Sequence, residues 1–353
     1  MSIDLKIYTV TKSYYPGGVF SIKKNIFEKL DAIDIVIPQH MRYQRYIATY
    51  DIECILAPES VNSQNARTRY TQKHCLASVA VSSNVDGFQE SKCFVLGVYD
   101  NIVKSFLEYL IEISLMKYTL LKEFYEDFID QIDSSELANE FDSFLQQLPV
   151  ISFNGRRYDI QVMKEQLINE ILLIGSFKFA IKNGGSYMCI SMNELKFLDI
   201  LYFIAPGYNY DRFIKSWGVE QTKGYFPYSY LDSPEKLQSR EFPPYITFFS
   251  EIKQENVLES EYTRYEELLL DGFDHQTALN KMGIDRTPKT GMEKYDEIRA
   301  MFENNNWNIG DYLVYYNKLD VGPFIIALER LMDYYEHRQI SVFTDAMSGK
   351  YIF

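Results

Sequence analysis

Two carboxylates, one residue apart, stand in the middle of an apolar run, Tyr46-Ile47-Ala48-Thr49-Tyr50-Asp51-Ile52-Glu53-Cys54-Ile55. The run is β-branched and aromatic, the composition of a strand. Alternate residues of a strand share a face, so Asp51 and Glu53 point the same way. Side by side in apolar surroundings they repel each other and lose hydration, a cost that a divalent cation would offset. Taken alone, the stretch fits an edge strand with a solvated acidic face at least as well. The choice turns on whether other carboxylates converge on it.

Two other stretches supply them. Phe153-Asn154-Gly155-Arg156-Arg157-Tyr158-Asp159 follows a short buried-strand pattern at 149–153 and leads into a helical one at 157–173. Near the C-terminus Tyr316 and Asp320 are four apart in a helical pattern, so they share a face. Three or four converging carboxylates can hold two divalent ions about 3.5–4 Å apart, one activating water and the other stabilising a leaving 3′-oxygen. A Tyr hydroxyl on the same face could orient that water. The chemistry expected of this set is two-metal phosphodiester hydrolysis.

The elements that must carry these groups alternate between strand and helix. Strand patterns cover the acidic run up to Pro58, then 75–81 and 92–98, with Asn84-Val85-Asp86-Gly87 turning between the last two. Helical spacing runs over 101–132, where Val103, Phe106, Leu107, Leu110, Ile111 and Ser114 recur, and again over 135–148. Lys182-Asn183-Gly184-Gly185-Ser186 joins strands at 177–181 and 187–190 as a hairpin. A buried strand at 197–201 and a helix at 209–217 follow. The last helix covers 308–337, with a break expected near Gly322-Pro323. Before it, a Tyr- and Pro-rich insertion at about 222–300 shows little periodicity apart from a helix near 261–269. Residues 1–45 read as a lead-in with strand-like 7–10 and 33–37, Tyr15-Pro16-Gly17-Gly18 as a turn, and 62–69 as a polar loop. The expected class is α/β, a mixed sheet flanked by helices.

Composition removes several function classes. At 353 residues, 46% hydrophobic and 24% charged, the chain suits one large domain or two ordinary ones. No apolar run approaches the roughly 18–20 residues that span a membrane, and the N-terminus lacks secretory features. The 4 Cys form no C-x-x-C pair and the 4 His are scattered, which speaks against a zinc site and for reduced thiols. A net charge of −13 opposes tight, stand-alone nucleic-acid binding, unless the acids hold cations.

Asp51-Ile52-Glu53, Phe153-Asn154-Gly155-Arg156-Arg157-Tyr158-Asp159 and Tyr316-Asn317-Lys318-Leu319-Asp320-Val321 resemble the three exonuclease motifs of family B DNA polymerases. The likeness is greatest to the viral, organellar and Polinton-like branch, much of it protein-primed. Local matches at Phe197-Leu198-Asp199-Ile200, Ala205-Pro206-Gly207, Lys223-Gly224-Tyr225-Phe226-Pro227-Tyr228 and Asp311-Tyr312-Leu313 extend it over roughly 46–345. The resemblance implies a ribonuclease H-like 3′–5′ exonuclease with two Mg²⁺ or Mn²⁺ ions held by Asp51, Glu53, Asp159 and Asp320. Tyr316 would position the attacking water, and Asn154 and Lys223 would bind the single-stranded 3′ end of DNA. Ile200 stands where relatives have a DNA-binding Ser, so that contact is not expected.

The resemblance divides the chain into the lead-in 1–45, an exonuclease domain 46–337 and the truncated start of a polymerase palm at 338–353. The palm motifs Asp-x-x-Ser-Leu-Tyr-Pro and Tyr-x-Asp-Thr-Asp do not occur. The expectation is therefore a proofreading portion of a DNA-directed DNA polymerase, its implied partners a palm and thumb half and a terminal protein, with no membrane. The implied location is intracellular: host nucleus or cytoplasm for a viral or transposon-derived chain, or the mitochondrion. The competing expectation is a catalytically silent remnant that keeps the fold as a DNA- or protein-binding module.

Overall fold

The structure, a computed structural model, describes residues 7–9, 25–58, 72–220, 224–251 and 253–343. The expected turn at Tyr15–Gly18 and polar loop at 62–69, together with Lys223, lie outside the described residues.

Strand β1 (Ile7–Thr9) precedes a short helix, α1 (Ile26–Asp31), fixed by a reciprocal Asn25–Glu28 capping box. The acidic run is β2 (Ala48–Pro58), followed by β3 (Gln72–Ser83) and β4 (Lys92–Val95). The expected helix from 101 divides at Tyr125 into α2 (Ile102–Phe124) and α3 (Glu126–Ile129). Then come α4 (Ser135–Gln146), β5 (Leu148–Ser152) and α5 (Asp159–Ile174). The hairpin forms as β6 (Phe177–Asn183) and β7 (Ser186–Met192), before β8 (Leu195–Asp199) and α6 (Tyr210–Ser216).

Eight strands make one mixed sheet in the order β1-β6-β7-β8-β5-β2-β3-β4. β8, β5 and β2 run parallel; β3 is antiparallel to both β2 and β4. This helix-flanked arrangement is compatible with a ribonuclease H-like fold, as expected. The acidic strand lies between β3 and β5, not at an edge. Its alternation therefore separates two buried faces. Tyr50, Ile52 and Cys54 enter the core beneath α2 and α5, whereas Ile55 enters a second core on the opposite side of the sheet.

That second side is built by the insertion and the last helix. The insertion is more regular than its composition suggests: a small ribbon, β9 (Phe249–Ser250) with β10 (Glu255–Asn256), precedes α7 (Ser260–Leu270), α8 (His275–Met282) and α9 (Gly291–Asn304). Helix α10 (Ile309–Glu336) crosses β2, β3 and β4. The break expected at Gly322-Pro323 does not occur. Pro323 has no N–H for the Leu319 carbonyl, but the Tyr210 hydroxyl lies 3.4 Å from that oxygen and donates to Asp320 O at 2.7 Å. Thr49 Oγ1 donates to Val321 O at 3.1 Å, tying the same turn to β2. The strand expected at 33–37 is likewise absent: Ile35 and Ile37 are buried as irregular chain following α1. No helix among the described residues is long and apolar enough to cross a membrane.

One buried group in the α2–α4 contact titrates near neutrality. Lys117 is fully buried, and its Nζ donates to Phe144 O (3.2 Å) in the last turn of α4 and to Gln147 O (2.7 Å) just past its end. Desolvation lowers its pKa from 10.5 to about 7. Between these values the unfolded chain holds a proton that the folded chain has released, so stability rises with pH there, by at most about 1.4 kcal/mol per unit. Below pH 7 both states are protonated and the penalty is constant. Lys117→Met, which removes the titration, is expected to be more stable than wild type at pH 6, with the difference shrinking towards pH 9. Urea unfolding at the two pH values checks this; a difference independent of pH would show that Lys117 does not titrate in the window.

Candidate metal centre

β2 delivers Asp51 and Glu53 to the α10 side of the sheet, and α10 delivers Asp320 to them. One carboxylate oxygen from each of Asp51, Glu53 and Asp320 lies within 4.8 Å of the others. Glu53 and Asp320 are buried, at 6% and 3% exposure, and Asp51 is partly exposed. Two oxygens on opposite sides of a cation with bonds of about 2.1–2.4 Å are about 4.2–4.8 Å apart, so this spacing suits one shared hard cation. All three donors are carboxylate oxygens, the type such ions prefer. The acidic cluster can hold a metal ion.

The positions are held from behind. Glu53 pairs with Ser78 and Cys54 with Leu76, leaving Ala77 as the extra residue of a β-bulge directly beside Glu53. Ser78 Oγ accepts from Asn317 Nδ2 at 2.8 Å, which pins α10 to β3 opposite Glu53. Tyr316, one turn before Asp320, is buried, and Phe226 lies against it with ring centroids 5.3 Å apart. A Cβ on Gly224 would meet Leu319 Cδ1 at 2.9 Å and Tyr316 Cδ2 at 3.1 Å, so the chain entering the insertion packs closely against α10.

Tyr228 is the group that sequence reasoning left without a role. Its hydroxyl donates to Glu53 Oε1 at 3.1 Å and lies 3.0 Å from the Tyr316 hydroxyl, while 36% of the residue stays exposed. Burial of the hydroxyl end, followed by the neighbouring Glu53 charge, pushes this phenol well above its ordinary range, so it remains a donor. The only sequence signal was its place at the end of Lys223–Tyr228; the contact itself joins residues 175 apart. Of the tyrosines near Tyr316 on α10, Tyr312 donates to Tyr225 O and Tyr315 lies exposed beside Trp307. Tyr316 is the one whose hydroxyl meets the Tyr228–Glu53 pair.

Asp159 is the first residue of α5, buried at 6% exposure, where the helix N-terminus favours negative charge. It does not join the other three at their 4.8 Å spacing. It is their electrostatic neighbour, however: Glu53 and Asp159 both act on Cys54 and on Tyr158. Burial pushes the Cys54 thiol up to about 12, which makes it a packing group and not a nucleophile. Asn154, partly exposed, begins the turn before α5. Thus Asp51, Glu53 and Asp320 are brought together, Tyr316 is one hydroxyl removed, Asp159 is an electrostatic neighbour outside the group, Asn154 stands in the loop between β5 and α5, and Lys223 is outside the described residues. No family model, curated protein or solved structure matches the chain.

Proposed function

We propose that the chain is a metal-dependent 3′–5′ exonuclease acting on single-stranded DNA ends, the proofreading portion of a family B DNA polymerase. The observation that carries this reading is the convergence of Asp51 and Glu53 from a central strand with Asp320 from a helix that follows more than 250 residues later. Asp159 would complete the ligand set for two Mg²⁺ or Mn²⁺ ions. Bound there, such ions supply Lewis-acid polarisation of a phosphodiester and a water acidified towards neutral pH. The chain's own residues orient and exclude. Tyr316 and Tyr228 place two hydroxyls beside Glu53, suited to holding a water in one orientation. Asn154 stands at the loop that would meet the terminal nucleotide. The acidic surface, net −13, is reconciled with a polyanionic substrate only when cations occupy the carboxylates.

The test is direct. With Mg²⁺ or Mn²⁺ the purified protein should shorten a 5′-labelled single-stranded oligodeoxynucleotide from its 3′ end, chelation should stop it, and Asp51→Ala should abolish it. Equal activity in Asp51→Ala overturns the reading. Binding of the oligonucleotide without shortening points instead to the silent binding module.

A further inference from the structure

Asp199 closes β8 beside Ser152, the last residue of β5, and only 2% of it is exposed. A carboxylate so placed is tolerated only if hydrogen bonds replace its water. Oδ1 accepts from Leu201 N at 2.9 Å and from Asn154 N at 3.3 Å, and Oδ2 accepts from Arg156 N at 3.1 Å. Arg156 Nε lies 3.6 Å from Oδ2, and the guanidinium sits 4.1 Å over the Tyr202 ring. One carboxylate thus holds two alternate N–H groups of the loop leaving β5 and one N–H of the chain leaving β8. Between the held amides, Asn154 adopts φ +66°, a left-handed conformation that asparagine enters more readily than most residues other than glycine.

We propose that Asp199 is a positioning residue for 3′-end binding, clamping residues 154–156 so that Asn154 faces the DNA terminus in one fixed conformation. The inference rests on the exonuclease reading and deepens it. It also divides the two adjacent arginines. Arg156 is committed to Asp199 and Tyr202, and exposed Arg157 is the one available to a phosphate. Burial raises the Asp199 carboxyl on balance, and the three N–H donors and Arg156 oppose only part of that rise.

Two measurements test it. Hydrogen exchange at amides 154–156 should be faster in Asp199→Ala. In Asp199→Asn it should be intermediate, because an amide oxygen can still accept from Leu201 and Asn154 while its NH₂ opposes the Arg156 N–H. Unchanged exchange overturns the clamp whatever the activity of the protein. Binding of fluorescein-labelled oligo(dT) is then measured by anisotropy in Ca²⁺, with the oligonucleotide checked for integrity. Asp199→Ala should weaken it about tenfold, the order expected for losing a charge-assisted hydrogen bond. Asp199→Ala/Asn154→Ala should bind no more weakly than Asn154→Ala alone. Additive losses, or wild-type binding with faster exchange, overturn the positioning role. Wild-type protein that binds no oligonucleotide overturns the exonuclease reading and the DNA role of Asp199 with it, while the exchange result still decides the clamp.

Discussion

Asp320→Asn is expected to raise the melting temperature of the metal-free protein, erase its response to divalent ions and, on the proposed exonuclease reading, remove about 10³-fold of nuclease activity. The three effects have one source. Asp51, Glu53 and Asp320 place carboxylate oxygens within 4.8 Å of one another, two of the residues being buried. Without a cation, like charges at this range oppose folding by on the order of 1–3 kcal/mol. A neutral amide of the same shape relieves that repulsion, worth a few degrees in a chain of this size. Wild type should recover stability when the ion binds, by about 2.7 kcal/mol at a hundredfold excess over Kd, whereas the variant should recover little. The activity loss would follow from the several kcal/mol that an ion bound there would supply to the transition state. Asp320, at 3% exposure, should show the stability gain more strongly than partly exposed Asp51. Thermal scans in EDTA and in Mn²⁺ decide it. A variant that melts below wild type in EDTA and still responds to Mn²⁺ would mean that these carboxylates are not a metal centre.

The residues of that centre were legible because period-two alternation and the i, i+4 rule are local: they put Asp51 with Glu53 and Tyr316 with Asp320 before any fold is known. The strand–helix alternation likewise gave the α/β class. What was not legible depends on chain brought together from afar. Nothing local says that β2 is central, since a fully buried strand and an edge strand can share this sequence. The 33–37 stretch has the β-branched pattern of a strand, yet the Asn25–Glu28 capping box commits the preceding chain to α1. Asp34, at φ +64°, then turns Ile35 and Ile37 into a helical core. Pro323 reads as a helix break, and only the hydroxyls of Tyr210 and Thr49, from two other elements, show how α10 continues. The insertion did carry readable signals: Thr290-Gly291-Met292-Glu293 is a capping box that starts α9, and Asp274 caps α8. Tyr228 and Asp199 were beyond reach, because one acts across 175 residues and the other through backbone amides that carry no sequence signature.

Gly155→Ala should be damaging, costing about 1–3 kcal/mol of stability and, on the exonuclease reading, on the order of 10²-fold in activity. A Cβ at 155 would lie 2.3 Å from Ser152 Oγ, 2.7 Å from Ser152 Cβ and 2.7 Å from Asp159 Oδ2. These neighbours cannot yield equally. Ser152 ends β5 inside the sheet, at 1% exposure, so its Cβ is fixed by the ladder. The Asp159 carboxylate is the softer partner and should be the one displaced. The loop held by Asp199 gives the methyl little room to move away. Removing only the Ser152 hydroxyl relieves the shortest clash and leaves the other two. Ser152→Ala/Gly155→Ala should therefore regain part of the stability but little of the activity, since Asp159 remains pushed aside. Urea unfolding and initial rates on single-stranded DNA separate the two quantities. Full recovery of both in the double variant would mean that Asp159 tolerates displacement, and so contributes little to the chemistry at the Asp51–Glu53–Asp320 group.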